Sequence, residues 1–295
     1  MAATQRPALD LGRLDGPVLL FGGPYSNLQS TRALRAETDR LGIPAGRVIC
    51  TGDVVAYCGD PDGTLDEIID WGCHVAMGNC EEALGEGGDD CRCGFEKGSQ
   101  CDLLSVRWFA HASSRVPPAH KAWMAGLPHP ITFEMGEAKF AVVHGHSRDI
   151  SEWVFASTPE AEKRVALDDL GVDGVIAGHS GLPFTNVLSD GRLWHNPGVI
   201  GVPANDGTPR VWYSVLEPAP GGITIRHLAL EYDYEGARAR MAEEALPDAY
   251  RQALKDGLWP NLDVLPTAEA ALTGQALAFD PVTWILPEPR VGKVA

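Results

Sequence analysis

The first third of the chain alternates short apolar runs with amphipathic stretches, and that alternation admits few folds. Val18-Leu19-Leu20-Phe21 reads as a strand. A helix capped by Asn27 follows, with Leu28, Thr31, Leu34, Thr38 and Leu41 on one face, and Gly42 and Pro44 end it. Arg47 to Cys50 reads as a second strand, Thr64 to Trp71 as a helix stopped by Gly72, and Cys73 to Met77 as a third strand. Strands that alternate with helices in this way build a layered α/β fold around a parallel sheet.

Each of these strands runs into a small polar loop: Gly22 to Asn27, Thr51-Gly52-Asp53, and Gly78-Asn79-Cys80-Glu81. In open α/β sheets the carboxyl ends of the strands are where ligands bind. Residues 85–101 are glycine-rich and carry three cysteines, so an irregular loop is expected there. Helices are expected over Leu103 to Ala112 and Pro118 to Ala125. A strand pair from Ile131 to Val143, turning at Met135-Gly136, ends at His144-Gly145-His146. A further strand, Gly174 to Ala177, ends at Gly178-His179, and hairpin signals at Asp190-Gly191 and Gly221-Gly222 make the second half mostly β. From Tyr232 the chain turns helical, over Glu235 to Glu244 and Pro247 to Asp256, and then Pro-rich. The expected organisation is one main domain over 1–231, with 232–295 as an extension packed on it.

Composition narrows the function classes. With 44% hydrophobic and 22% charged residues the chain has the usage of a globular protein. Its apolar runs are strand-sized, far short of a membrane span. Met1 to Gly16 contains Arg6, Asp10, Arg13 and Asp15 and no apolar h-region, which argues against a secretory leader and for a cytoplasmic protein. A formal charge of −16 repels phosphate backbones, so nucleic acid is not an expected partner. Seven cysteines in such a chain point to free thiols or metal ligands before a disulfide framework.

Four polar side chains stand directly after strands and beside glycines: Asp53, Asn79, His144 and His179. A carboxylate, an amide oxygen and two imidazoles together suit a divalent ion such as Mn²⁺, Fe²⁺ or Zn²⁺. Singly, Asp53 reads equally well as a turn residue, Asn79 as a helix cap, and each histidine as a satisfied structural side chain.

Gly52-Asp53, Gly78-Asn79, His144-Gly145 and Gly178-His179, followed by Asn196-Pro197-Gly198, resemble the ordered blocks of the calcineurin-like metallophosphoesterases, especially their bacterial phosphodiesterase branch. The similarity runs from Val18 to Tyr213. It implies two stacked mixed β-sheets flanked by helices, and two metal ions that share a bridging aspartate and activate a hydroxide. Carried over, Asp53 is the bridge, and Asn79, His144 and His179 complete the second ion's shell. The family's first block, Asp-x-His, is here Gly23 and Tyr25, and the last histidine of Gly-His-x-His is Gly181. The family histidine that contacts the substrate phosphate is Cys80. The resemblance thus implies one intact metal site beside one stripped of its ligands.

The expected function is a metal-dependent phosphoesterase acting on a small phosphomonoester or phosphodiester, with one ion in place of two. Tyr25, Cys80, His146, Arg148 and His195 are the candidates for catalytic groups around it. The alternatives are a non-catalytic binding or sensor protein on the same scaffold, and a metal–thiolate redox protein. The last draws on Cys91, Cys93 and Cys101, which with Cys80 make four thiols for a structural zinc or an iron–sulfur cluster. Glu81-Glu82 reads as a solvated helix start. Cys50, Cys58 and Cys73, and Trp71, Trp108, Trp123, Trp194 and Trp212, read as packing residues.

Overall fold

Side chains along β2 (Val18–Phe21) divide by parity. Val18 and Leu20 enter an apolar layer with Phe133, Phe140 and Leu193, whereas Leu19 and Phe21 join Leu34, Leu65 and Ile68 beneath helices. Alternate side chains of a strand point to opposite faces, so a strand apolar at every position must be covered on both. β6 (Ala138–Val142) repeats the pattern, with Phe140 and Val142 facing inward and Ala141 outward.

A computed structural model describes residues 7–286; the first six residues of the stretch read for a leader lie outside it. Two mixed six-stranded sheets stack face to face and are flanked by helices, the α/β sandwich expected. One sheet runs β12 (Val282–Ile285), β11 (Gly222–Leu230), β10 (Val211–Ala219), β2, β3 (Val48–Cys50) and β4 (His74–Val75). The other runs β1 (Leu9–Arg13), β5 (Ile131–Met135), β6, β7 (Gly174–Ile176), β9 (Leu193–Asn196) and β8 (Phe184–Val187). Within the first, β2, β3 and β4 are parallel, and within the second β6, β7 and β9 are parallel.

The first sheet is covered by α1 (Leu28–Leu41), α2 (Pro61–Trp71), α3 (Asn79–Gly85), α4 (Gln100–Arg115), α5 (Pro118–Ala125), α7 (Tyr234–Glu243) and α8 (Asp248–Asp256). The second is covered by α6 (Glu160–Leu170), and a short α9 (Thr267–Ala270) follows later in the chain. No helix among the described residues is long and apolar enough to cross a membrane.

β1, α6, α9 and β12 were not legible in advance; β1 is an edge strand beside β5, and α3 bears out the helix start read at Glu81-Glu82. α6 escapes pattern reading because its buried face carries Lys163. The Lys163 ammonium donates to Ala156 O, Thr158 O and Asn186 Oδ1, so burial costs it no hydrogen bonds. The C-terminal stretch shares the main core: β12 lengthens the first sheet, Trp284 is buried between the sheets, and Tyr250 joins the helical layer.

Candidate metal centre

Both sheets feed one point. Asp53 follows β3, Asn79 opens α3 after β4, His144 follows β6 and His179 follows β7, all at carboxyl ends. The loops meet so closely that a Cβ on Gly78 would lie 2.5 Å from Asp53 Oδ1. Tyr25, Ser26, Asp53 and His179 all adopt positive φ, between 51° and 60°. Non-glycine residues pay for that conformation, and surrounding contacts must hold it.

Glu81 supplies much of that hold. Its carboxylate accepts from the backbone N–H groups of Asp53 (2.7 Å), Val54 (2.8 Å) and Gly78 (3.0 Å). It is fully buried, which corrects the reading of Glu81 as a solvated helix start. Burial, and then the charge of Asp53, push its carboxyl up to about 7. Asn196 does the same service for the other sheet. Its amide donates to Gly178 O and Ser180 Oγ, and its oxygen accepts from Gly198 N, fixing the loop that bears His179. The only advance signal for Glu81 was its place three residues after Gly78 at a helix start.

His144 Nδ1 lies 2.7 Å from Thr51 O, so Nδ1 carries the proton and donates, and Nε2 presents its lone pair. Around Nε2 stand Asn79 Oδ1 at 2.9 Å, His179 Nδ1 at 3.1 Å and Asp53 Oδ2 at 3.2 Å. The Asn79 amide is oriented by its nitrogen, which donates to Cys91 O at 2.7 Å, leaving the oxygen aimed at the same point. Asp53, His144 and His179 form the one group of three or more metal-ligating side chains gathered within 4.8 Å among the described residues.

Three buried acceptors, His144 Nε2, Asp53 Oδ2 and Asn79 Oδ1, face one another here beside His179 Nδ1, whose role depends on its tautomer, and a positive charge between them would satisfy the set. Burial alone would lift the Asp53 carboxyl, yet His144 and His179 facing it hold it below the usual carboxylate range. Burial disfavours charge on His144, but Asp53 beside it outweighs this and raises its basicity. Burial, and then His144, push His179 down to about 3. One proton on His144 meets that demand in part, and a divalent cation meets all four donors, so the residues fit the ion that the donor set implies.

The neighbouring position is obstructed on the Gly23 side. A Cβ on Gly23 would come within 2.3–2.7 Å of the Tyr25 ring, and one on Gly181 would touch the Trp259 ring at 3.6 Å. Aromatic rings therefore occupy the space beside the two glycines where the family carries ligands. Tyr25 is buried, and burial, then Asp53, push its phenol well up, so it keeps its proton. Cys80 sits beside the point: its backbone N–H donates to Asp53 Oδ1 at 3.2 Å, and Asn79 Nδ2 lies 3.6 Å from its sulfur. Burial, then Asp53, push that thiol up as well.

The other expected catalytic groups are committed elsewhere. His146 turns its ring to Ser147 Oγ and to Glu162 O in α6. Arg148 pairs in bidentate fashion with Asp169 at the surface, at 2.6 and 2.7 Å. His195 is held between Thr185 Oγ1 (2.9 Å) and Ser214 Oγ (2.7 Å) inside the sandwich. The expected four-thiol cluster is also corrected. Cys91 and Cys93 pair as a disulfide, Cys101 Sγ donates to Asn261 Oδ1 at 3.0 Å, and Cys80 faces the metal point. The Cys-rich loop instead buttresses Asn79 through Cys91 O and Cys93 Sγ.

Two tryptophans belong to the site although no motif marked them. The Trp153 ring lies 4.1 Å from that of His179, and Trp259, beyond residue 231, packs by Gly181. Both line an aromatic cleft with a cavity of about 70 Å³ that includes His179 and Tyr25.

No family model matches the chain. An uncharacterized protein of Methanocaldococcus jannaschii is 23% identical over 238 residues, 76% of this chain and 91% of that protein. Among solved structures, a hypothetical protein of Pyrococcus horikoshii superposes with a TM-score of 0.69 at 13% identity, over 82% of this chain and 99% of that one. A metallophosphoesterase from Sphaerobacter thermophilus superposes with a TM-score of 0.63 at 19% identity, over 83% of this chain and 100% of that one. At these identities the likeness is one of fold.

Proposed function

We propose that this chain, which has the calcineurin-like metallophosphoesterase fold, is a single-metal phosphoesterase acting on a small phosphomonoester or phosphodiester. The observation that carries the reading is the convergence of Asp53, Asn79 and His179 on the lone pair of His144 Nε2 at 2.9–3.2 Å. A Mn²⁺, Fe²⁺ or Zn²⁺ ion held there would supply Lewis acidity, lowering the pKa of a water toward about 7 and polarising a phosphoryl oxygen.

The remaining work falls to the chain. Phosphoryl transfer depends chiefly on positioning and charge stabilisation, which neutral donors can assist. The Tyr25 phenol and the Cys80 thiol both stay protonated at neutral pH, because burial and Asp53 oppose their ionisation. They are thus hydrogen-bond donors beside the ion, on the side where the family carries its first metal.

One observation favours a second reading, a binding protein without turnover: the Tyr25 ring lies where a side chain at position 23 would stand, so the first ion of the fold loses a ligand there. Metal content and hydrolysis of a generic phosphodiester, measured before and after chelation and reloading, separate the two. The proposal expects one ion per chain and activity that disappears and returns with it. Stoichiometric metal without turnover on either ester class would leave the binding reading.

A further inference from the structure

Beside the metal point the cleft is walled by six aromatic side chains, Tyr25, Tyr57, Phe95, Trp153, Tyr250 and Trp259. Among the described residues no lysine, arginine, aspartate or glutamate lines it. His179 belongs both to the cleft and to the metal point, so a molecule whose phosphoryl group lies at the ion would extend its other end among these rings.

The lining decides what that end is. A second phosphate or a carboxylate would lose its hydration with no cation to replace it, inside a chain of net charge −16. A nucleobase would stack well but would bring amide-like edges that need partners. Part of the polar lining is spent, since Cys101 is paired with Asn261 and Ser180 Oγ accepts from Asn196, which leaves chiefly the Tyr25 phenol and His179 Nε2 to meet such edges. A quaternary ammonium group has no hydrogen-bonding atoms to satisfy. Its charge is attracted by the faces of tryptophan and tyrosine, the arrangement by which aromatic cages hold such groups.

We propose that the cleft takes the quaternary ammonium end of the substrate, and that the substrate class is a phosphoester of a quaternary amino alcohol. The assignment rests on the reading of the metal point as the phosphoester site. In the reaction the oxygen of water bonds to phosphorus, the bond from phosphorus to the alcohol oxygen breaks, and that oxygen leaves with a proton taken from the water. No oxidant or further reactant is needed.

The test uses the full metal-loaded chain. Tryptophan fluorescence and calorimetry compare choline with its neutral isostere, in which carbon replaces the ammonium nitrogen, and with adenosine. Choline is expected to bind at least about tenfold more tightly than the isostere. Trp259→Leu is expected to weaken choline by a similar factor while metal content stays unchanged. Equal binding of the isostere would reduce the cleft to an apolar surface, and tighter binding of adenosine would assign it to a base; either overturns the proposal. Should Trp259→Leu not fold, the wild-type comparison still decides. Hydrolysis of choline phosphate and of a choline phosphodiester separates the two layers of the argument. Choline binding without hydrolysis of any ester upholds the cleft and overturns the phosphoesterase reading, whereas hydrolysis without preference for the choline esters does the reverse.

Discussion

Two pairs of histidines lie buried in this protein with nearly the same separation, ring centroids 5.0 Å apart for His144 and His179 and 4.8 Å for His195 and His227. Their surroundings differ in kind. His195 and His227 share the Thr185 hydroxyl, and His195 reaches Ser214 on its other nitrogen. Hydroxyls donate or accept as required, so that pair is content as neutral imidazole. His144 and His179 face a carboxylate and an amide oxygen, which only accept. Burial and proximity do not distinguish a binding site from a structural network; the balance of donors and acceptors does.

The comparison breaks most sharply at His144. His144→Ala removes the atom on which the other donors converge, and metal affinity is expected to fall by more than the roughly 100-fold that loss of a supporting residue costs, leaving the purified protein with little bound metal. Activity should go with it. A variant that keeps its ion would mean that the convergence is not a metal site.

His195→Ala should do the opposite. It leaves a cavity in the sandwich and strips Ser214 and Thr185 of a partner, for a loss of about 3 kcal/mol in urea or thermal unfolding. Metal content should stay at the wild-type level. A variant that sheds its ion while folding normally would show the two pairs to be one system.

Glu81→Gln tests what holds the metal pair in place. The amide offers one acceptor where the carboxylate serves three backbone N–H groups of the Asp53 and Gly78 loops. Metal affinity is expected to weaken by about 10–100-fold, with Asp53 itself untouched. Titration of the apo protein with zinc measures this, and an unchanged affinity would make Glu81 a purely structural residue.

Much of this was readable before any coordinates. Continuous apolar runs such as Val18 to Phe21 and Phe140 to Val143 fix two-sided strands, and the polar residue after each strand marks the point where the loops meet. What a linear pattern does not carry is where a side chain spends its hydrogen bonds. His146 and Arg148 follow His144 closely in sequence, yet one turns to Glu162 and the other to Asp169. Glu81 looked like a surface acid because helix starts favour acids generally. Its burial depends on backbone N–H groups of the Asp53 loop, 27 and 28 residues away. Trp259 reaches Gly181 from beyond residue 231, across a distance in sequence that no motif spans.

The smallest expected effect is the acid sensitivity of the structural pair. Burial lowers His227 from 6.5 to about 4, and burial, then His227, lower His195 as well. Between pH 6.5 and about 4 the unfolded chain binds a proton at position 227 that the native state does not. Stability therefore rises with pH across that window and falls on acidification, by up to about 1.4 kcal/mol per pH unit for one such group. By about pH 5 the loss from His227 approaches 2 kcal/mol. Replacing His227 with glutamine removes the proton uptake while leaving a group able to pair with Thr185. Urea unfolding measured from pH 7 downward should then show a shallower fall for His227→Gln than for the parent, with equal metal content at pH 7. Parallel curves for the two proteins would mean that the second pair is not held neutral by the fold, and the contrast with His144 and His179 would lose its electrostatic half.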